Sequence, residues 1–272
     1  MKISNLNKLI ILILFFVLSF LVILNVPPIP QWESYHDFAD ARPWMGIPNF
    51  ANVISNIGFF AVGFLGLVKI FQSGYFENSS DRVPYLVFFV SIICVGCGSS
   101  YYHWTPSNAS LFWDRLPMTT AFMSFFAAVI SDRINRNFSI YILLPILLIA
   151  GLYSLIYWQQ TEAQGLGDLR FYGMVQFFPL TAIPLIILLY RNCRYTLTLP
   201  IFWALVWYAL AKLLEHFDSE IFNLLGTFVS GHTLKHFAAT IATFYILRLS
   251  LIHISEPTRP RLMSYAVFCL KK

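Results

Sequence analysis

The chain has 272 residues, of which 58% are apolar and only 11% are charged, against roughly 25% charged residues in a typical soluble domain. This composition excludes a disordered chain, a coiled coil and an ordinary soluble enzyme, and the long apolar runs argue against a membrane β-barrel. The fold class that is left is an all-α, polytopic membrane helical bundle. The net charge of +5 needs no nucleic-acid partner, because Lys and Arg in cytoplasmic loops account for it.

Eight apolar runs come close to the roughly 20 residues that a spanning helix needs. They cover about residues 8–26, 50–72, 84–103, 111–131, 139–158, 171–190, 199–214 and 221–247. The sequence after the first run, NVPPIPQW, lacks the small-residue cleavage site of a signal peptide. We therefore predict an N-terminal membrane anchor helix in residues 1–30 and a seven-helix membrane domain in residues 31–248.

The last segment of the chain reads LSLIHISEPTRPRLMSYAVFCLKK. Its beginning resembles the translation of a transposase sequencing adapter, and its end resembles the far end of that adapter. We interpret residues 249–272 as an adapter artefact and exclude them from the prediction of the fold.

The distribution of basic residues predicts the orientation of the bundle. Lys2 and Lys8 precede the first run, which indicates a cytoplasmic N-terminus. The other loops predicted on that side carry Arg82, Arg133, Arg136, Arg191 and Arg194. The opposite loops are richer in acids, among them Glu33, Asp37, Asp40, Glu162, Asp168, Asp218 and Glu220. The protein is therefore predicted to be integral and multi-pass, with its polar patches toward the outer face.

Two polar patches flank the turn between the third and fourth runs. In GCGSSYYHW, Ser99 and His103 lie four residues apart and so share one helix face. In SLFWDRLPM, Asp114 falls near the start of the next helix, where the helix dipole favours a carboxylate. Polar side chains in spanning helices are costly, so those that are present usually serve a site or a packed polar network.

A third patch, SGHTLKHFAA, lies in the last run and contains His232 and His236, also four residues apart. This spacing lets one helix offer two imidazoles to one metal ion, although such pairs also arise through packing alone. With His103 as the third ligand, a tetrahedral zinc ion would keep one position for water. Asp114 could then act as the general base, and the Ser99 hydroxyl could bind a developing oxyanion.

The order and spacing of these motifs resemble the alkaline ceramidases. The matching pieces are Ser99-Ser-Tyr-Tyr-His103, Asp114-Arg-Leu-Pro-Met118, His232-Thr-Leu-Lys-His236 and, near the start, Asn52-Val-Ile-Ser-Asn56. The resemblance covers about residues 35–248. It implies a seven-helix membrane hydrolase that uses zinc to cleave the amide bond of ceramide or a related membrane lipid, giving a sphingoid base and a fatty acid.

The resemblance also implies a calcium site in the acidic segment before the second run. The candidate ligands are Asp37, the backbone carbonyl of Phe38, Asp40 and Asn49. Oxygen donors of this kind suit calcium, although a solvated acidic loop explains the same residues. Beyond the lipid substrate and the bilayer, the sequence indicates no protein partner.

Two alternatives stay open at this stage. One is a seven-helix receptor or retinal-type protein, because Lys235 lies in the last run, where a Schiff-base lysine is expected. Lys235 is about 100° from the face of the two His, so we expect it to pack against another helix or to reach a polar partner. The other alternative is a related hydrolase that acts on another lipid amide or ester. We interpret Glu215 and His216 as part of an outer-loop cluster with Asp218.

Overall fold

The computed structural model describes residues 3–72 and 76–251, and within these ranges the regular elements are helices. Residues 252–272, which make up most of the segment interpreted as adapter-derived, lie outside the described residues. In chain order the helices are α1 (Asn5–Asn25), α2 (Phe50–Ile54), α3 (Ile57–Phe71), α4 (Val83–Trp104), α5 (Asn108–Arg133), α6 (Arg136–Phe138), α7 (Leu144–Ala163), α8 (Arg170–Leu189), α9 (Thr198–His216), α10 (Asp218–Leu224) and α11 (Gly231–Leu251). Shorter helical turns cover Glu33–His36, Ser79–Arg82 and Ser139–Leu143.

The predicted all-α membrane bundle is confirmed. Among the described residues, six helical segments are long and apolar enough to cross a membrane, namely 5–25, 50–71, 79–104, 136–163, 170–189 and 198–216. Helices α5 and α11 are as long, at 26 and 21 residues, and they correspond to the two remaining predicted runs. Their mean hydropathy is lower because they carry the charged and imidazole side chains of the polar patches.

The last predicted run, 221–247, is divided in the structure. Helix α10 ends at Leu224, and α11 begins only at Gly231. Between them Gly226 and Thr227 adopt φ of +62° and +63°, a left-handed conformation that cannot continue a right-handed helix. The division places His232 in the first turn of α11, at the end of the bundle rather than within a longer helix.

Helices α4 and α5 approach each other closely at Gly98. A Cβ added there would lie 2.1 Å from the Trp113 carbonyl oxygen and 3.2 Å from the Asp114 Cα. Only glycine permits this backbone contact, which brings the start of α5 against the α4 face that carries Ser99 and His103. The close contact of the two helices thus assembles two of the predicted polar patches.

Helix α1 lies outside the core, and none of its side chains is buried. It packs on α8, where Phe15 stacks on Phe178 with ring centroids 5.7 Å apart. At its C-terminal end the Arg170 guanidinium donates to the Val26 carbonyl at 2.7 Å. The core itself is an aromatic and aliphatic cluster shared by α3, α4, α5, α8, α9 and α11.

Candidate metal centre

Three imidazoles from two helices meet at one end of the bundle. His103 lies in the last turn of α4, whereas His232 and His236 lie in the first two turns of α11. Their candidate ligand nitrogens all lie within 4.8 Å of one another, and the Nε2 atoms of His103 and His232 are 3.3 Å apart. Among the described residues this is the one group of three or more His, Cys, Asp or Glu that could hold a metal ion.

The hydrogen bonds of His236 leave one ring nitrogen free for a metal. The Ser55 hydroxyl lies 3.0 Å from the Asn52 carbonyl and 2.7 Å from His236 Nδ1, and when it donates to the carbonyl it accepts a hydrogen bond from the Nδ1–H group. His236 Nε2 is then the unprotonated nitrogen, and it is buried without a partner. Because an imidazole fixed through its other nitrogen is the usual form of a metal ligand, His236 fits a divalent ion.

The other two imidazoles are held by the segment that precedes α2. The Phe38 ring packs on both, with centroids 4.6 Å from His103 and 4.9 Å from His232. The Asn49 amide donates to the His103 carbonyl at 2.8 Å. All three imidazole side chains are nearly fully buried, and His103 Nδ1 has no hydrogen-bond partner. The segment before α2 therefore covers the imidazoles and shields them from solvent.

Asp218 fixes the start of α11. Its Oδ1 atom accepts the His232 backbone N–H at 2.6 Å, and its Oδ2 atom accepts the Ala39 N–H at 3.0 Å. A carboxylate at a helix N-terminus is stabilised by the unpaired N–H groups there. This single side chain positions both His232 and the covering segment, a role that the sequence analysis missed.

Asp114 and Ser99 lie beside each other near the imidazoles. The Ser99 hydroxyl is a hydrogen-bonding neighbour of the Asp114 carboxylate, and both residues are buried. Because Ser99 is one helical turn before His103, the carboxylate faces the side of α4 that carries His103. The structure thus brings the three imidazoles together and places Asp114 beside Ser99, one helical turn before His103.

The prediction for Glu215 was wrong, whereas the expectation for Lys235 was met. Glu215 is not in an outer loop but lies in α9 with a side chain only 13% exposed. It forms ion pairs with Lys212 and Lys235, the latter at 2.7 Å. Lys235 reaches a polar partner as expected, and its Nζ atom also lies 3.0 Å from His232 Nε2. His216 is exposed at the end of the same helix.

Two of the four candidate calcium ligands already have partners within the protein. Asp40 accepts two hydrogen bonds of 2.7 Å from the Arg42 guanidinium, which lowers the pKa of its carboxyl group below the ordinary value. The Asn49 amide is bound to the His103 carbonyl, and Phe38 faces the imidazoles. Asp37 follows directly after the helical turn Glu33–His36. Asp40 would have to change partners to bind calcium, whereas Asn49 uses its amide nitrogen in the bond to His103 and could offer its Oδ1 atom.

The comparisons with known proteins agree with this geometry. A family model described as Ceramidase matches residues 45–267, about four-fifths of the chain. The matched region begins after α1 and includes the three imidazoles, Ser99 and Asp114, and it continues beyond residue 248. No curated protein matches the chain. A match of this extent, together with the converging imidazoles, shows that the chain belongs to the ceramidase family.

Proposed function

We propose that this membrane protein uses zinc to hydrolyse the amide bond of ceramide or a related N-acyl lipid. Family membership supports hydrolysis of ceramide in general. The observation that carries the metal dependence is the buried meeting of three imidazoles, one of which presents an unpaired Nε2. Imidazole nitrogens are preferred zinc ligands, and three of them are typical of catalytic zinc sites.

His103, His232 and His236 would hold the zinc ion. When bound, zinc lowers the pKa of its water to about 7 and polarises a carbonyl group. Ser55 would keep His236 in the tautomer that a metal requires, through its hydrogen bond to Nδ1. Asp218 would hold the start of α11 so that both of its imidazoles face the centre.

Asp114 is proposed as the group that moves protons. Its carboxylate accepts a proton as water adds to the amide carbonyl, and it returns that proton to the departing nitrogen. The carbon–nitrogen bond then breaks to leave a fatty acid and an amine. The Ser99 hydroxyl donates a hydrogen bond to the oxyanion that develops on the carbonyl oxygen.

An apolar cavity below the imidazoles is suited to the acyl chain. Phe59 lines this cavity and also contacts His236, with ring centroids 6.4 Å apart. Further along α11 the wall is formed by small and apolar residues, Ala239, Ala242, Thr243 and Ile246. A lipid whose scissile amide lies at His236 would therefore extend its acyl chain into the core.

The orientation and the domain limits are part of the proposal. We assign the N-terminus of α1 to the cytoplasmic side, which puts the imidazoles toward the outer face, and we treat α1 as an anchor added to a seven-helix domain. The peripheral packing of α1 on α8 supports this division. Residues 249–272 are treated as adapter-derived, and sequencing independent genomic DNA through codon 249 would test this.

The experiment is an incubation of the purified full chain with a panel of N-acyl and O-acyl lipids, with products identified by mass spectrometry. We expect a fatty acid and a sphingoid base from ceramide, and we expect a zinc chelator to stop their release. His236→Ala should stop it as well, whereas His216→Ala, the matched change at an exposed imidazole, should not. Release that persists in the chelator would contradict the proposed function.

Calcium binding by the segment around Asp37 and Asp40 is a separate proposal. A chelator selective for calcium should lower activity while the zinc content stays the same. Since Asp40 is already paired with Arg42, an unchanged activity would discard the calcium site without affecting the zinc proposal.

A further inference from the structure

A second cavity lies at the end of the bundle opposite the imidazoles. Its volume is about 370 Å³, within the roughly 300–1,000 Å³ that is usual for ligand sites. The start of α4, the end of α5 and the loop before α9 form its wall, which includes Asp81, Tyr85, Asp132, Arg133, Arg136 and Arg194. Tyr85 and His103 both lie in α4, so at 1.5 Å per residue this distal cavity is about 27 Å from the candidate metal centre.

The Tyr85 hydroxyl is an unsatisfied polar group in the wall of the distal cavity. The side chain is only 3% exposed, and its hydroxyl is buried without a hydrogen-bond partner. The charged side chains that interact electrostatically with it include Asp132, Asp81 and Arg133, which line the same cavity. Because buried hydroxyl groups are normally hydrogen-bonded, an unpaired one beside a cavity indicates a ligand that brings an acceptor atom.

Two arginines can supply further donors to the same space. Arg136 donates three of its five N–H groups to neighbouring side chains, which leaves two for a ligand. The side chain of Arg194 is 55% exposed, and Glu77, its partner in an ion pair, is 62% exposed. Since an exposed ion pair contributes little to stability, a ligand can compete for the Arg194 guanidinium at small cost.

The carboxylates in the wall are already occupied, so they do not call for a cation. Both oxygens of Asp132 accept backbone N–H groups of the loop before α9. Asp81 accepts hydrogen bonds from Arg136 and from the Tyr195 hydroxyl. In the same wall three guanidinium groups face these two carboxylates. The one other acid at this end, among the described residues, is Glu77, whereas the further basic residues there are Lys8, Lys69, Arg82, Arg191 and Arg248. The charge around the cavity therefore favours an anion.

We propose that the distal cavity binds a phosphate group, with the Tyr85 hydroxyl and the guanidinium groups of Arg136 and Arg194 as donors. Guanidinium groups match the oxygens of phosphate through paired hydrogen bonds. Basic pockets between membrane helices on the cytoplasmic side, the side to which we assign this end, bind the headgroups of anionic phospholipids. A soluble phosphate has the same chemistry, so the test has to distinguish the two sources. The inference goes beyond the proposed hydrolase function and does not depend on it.

The first test measures the melting temperature of the purified full chain with rising concentrations of three probes. The probes are dioctanoyl phosphatidate, dioctanoylglycerol, which lacks the phosphate, and inorganic phosphate. We expect phosphatidate to raise the melting temperature and dioctanoylglycerol not to. Stabilisation by phosphatidate alone would assign the site to a phospholipid headgroup, and equal stabilisation by inorganic phosphate would assign it to a soluble phosphate. No stabilisation by either phosphate probe would overturn the site.

The second test removes the unpaired hydroxyl. Tyr85→Phe should weaken the apparent affinity for the stabilising probe roughly tenfold or more, because a hydrogen bond to a charged group is lost. Without the probe, the variant should melt at the same or a higher temperature than the wild type, because the unsatisfied group is gone. Tyr153→Phe, at an exposed side chain of α7, is the control and should change neither value. A Tyr85→Phe protein that melts at a lower temperature and binds the probe with unchanged affinity would contradict the proposal.

The third test compares two arginines of one loop. Arg194 lines the distal cavity, whereas Arg191, three residues earlier, does not. Arg194→Gln should weaken the affinity for the probe roughly tenfold, and Arg191→Gln, which removes the same charge, should leave it near the wild-type value. Equal affinities in the two variants would show that the probe responds to the overall charge of this end and would overturn the site. None of the probes contains an amide, so these results are independent of hydrolysis.

Discussion

Helix α5 carries the same Asp-Arg dipeptide near each end, and the two pairs use their charges in opposite ways. Asp114–Arg115 lies at the end with the three imidazoles, and Asp132–Arg133 lies at the other end. The dipeptides are identical in sequence and both arginines are buried. The hydrogen-bond partners therefore distinguish the two pairs: Asp132–Arg133 stabilises the fold, whereas Asp114–Arg115 keeps groups that could bind a ligand or take part in a reaction.

The pair at the far end is fully engaged with the loop before α9. Asp132 accepts the backbone N–H groups of Arg194, Tyr195 and Thr196 at 2.8–3.1 Å, and it also accepts the Thr196 hydroxyl. Arg133 donates to the Tyr190 carbonyl at 2.8 Å and to Thr196. This arrangement is typical of a structural network, because every charged group there binds a fixed backbone group.

The pair near the imidazoles is engaged only in part. Asp114 has the Ser99 hydroxyl as its neighbour, and Arg115 has one amide and three aromatic rings. Donor and ligand nitrogens remain unpaired at this end, at Arg115, His103 and His236. Since buried polar groups are normally satisfied, such a concentration indicates a site for ligands that are bound during function.

The largest expected effect separates the two aspartates. Asp114→Asn should lower turnover roughly 10²–10⁴-fold, the usual contribution of a general base, while the metal content and melting temperature stay the same. Asp132→Asn should do the opposite: it should cost about 1–3 kcal/mol of stability through weakened charged hydrogen bonds and keep the turnover of the folded fraction. Normal turnover in Asp114→Asn would exclude a catalytic role for Asp114. The proposed difference between Asp114 and Asp132 would then also be wrong.

The next effect concerns the residue that orients His236. Ser55→Ala removes the hydrogen bond to Nδ1 and should weaken zinc affinity roughly 10–100-fold, as measured by competition with a chromogenic chelator. Ser154→Ala is the control, because Ser154 is also buried but bonds only to a carbonyl of its own helix. Equal zinc affinities in the two variants would show that Ser55 has no part in the metal centre.

A smaller effect is expected from the helix contact that places Asp114. Gly98→Ala would force a methyl group against the Trp113 carbonyl and separate α4 from α5, which should cost about 1–3 kcal/mol and reduce turnover. Gly173→Ala, in α8, has open space around its Cβ and should be neutral or slightly stabilising. Melting temperature and activity, measured on both variants, test the contact. If Gly98→Ala behaves like Gly173→Ala, the close approach is not needed.

The smallest effect is a dependence on pH. Arg42 lowers the pKa of Asp40, so the ion pair stabilises the fold above the ordinary carboxyl pKa and loses that effect as pH falls through the lowered value. Asp40→Asn should reduce the melting temperature by on the order of 1 °C at pH 7, because Arg42 is largely exposed. The difference from the wild type should shrink as pH falls below about 4 and disappear once pH is below the lowered pKa of Asp40. A difference that persists in acid would exclude the ion pair as its cause.

The fold could be predicted from the sequence because apolar runs of spanning length leave little choice of structure. The three imidazoles could be found because two share a helix face and the third lies beside an acid and a hydroxyl. The role of Ser55 could not be predicted, although Ser55 lies in the quoted motif Asn52-Val-Ile-Ser-Asn56, since its contact with His236 joins residues 181 positions apart. Glu215 was misplaced because its second partner, Lys235, comes from another helix, although Lys212 three residues before it was a local signal.

The metal content of the purified full chain tests the central claim most directly. It should be measured by plasma mass spectrometry for the wild type, His236→Ala and the exposed-site control His216→Ala. We expect about one zinc per chain in the wild type and in His216→Ala, and a large loss of zinc in His236→Ala. A wild type without bound metal, or His236→Ala with the same zinc content as the wild type, would contradict the assignment of the three imidazoles as a metal centre.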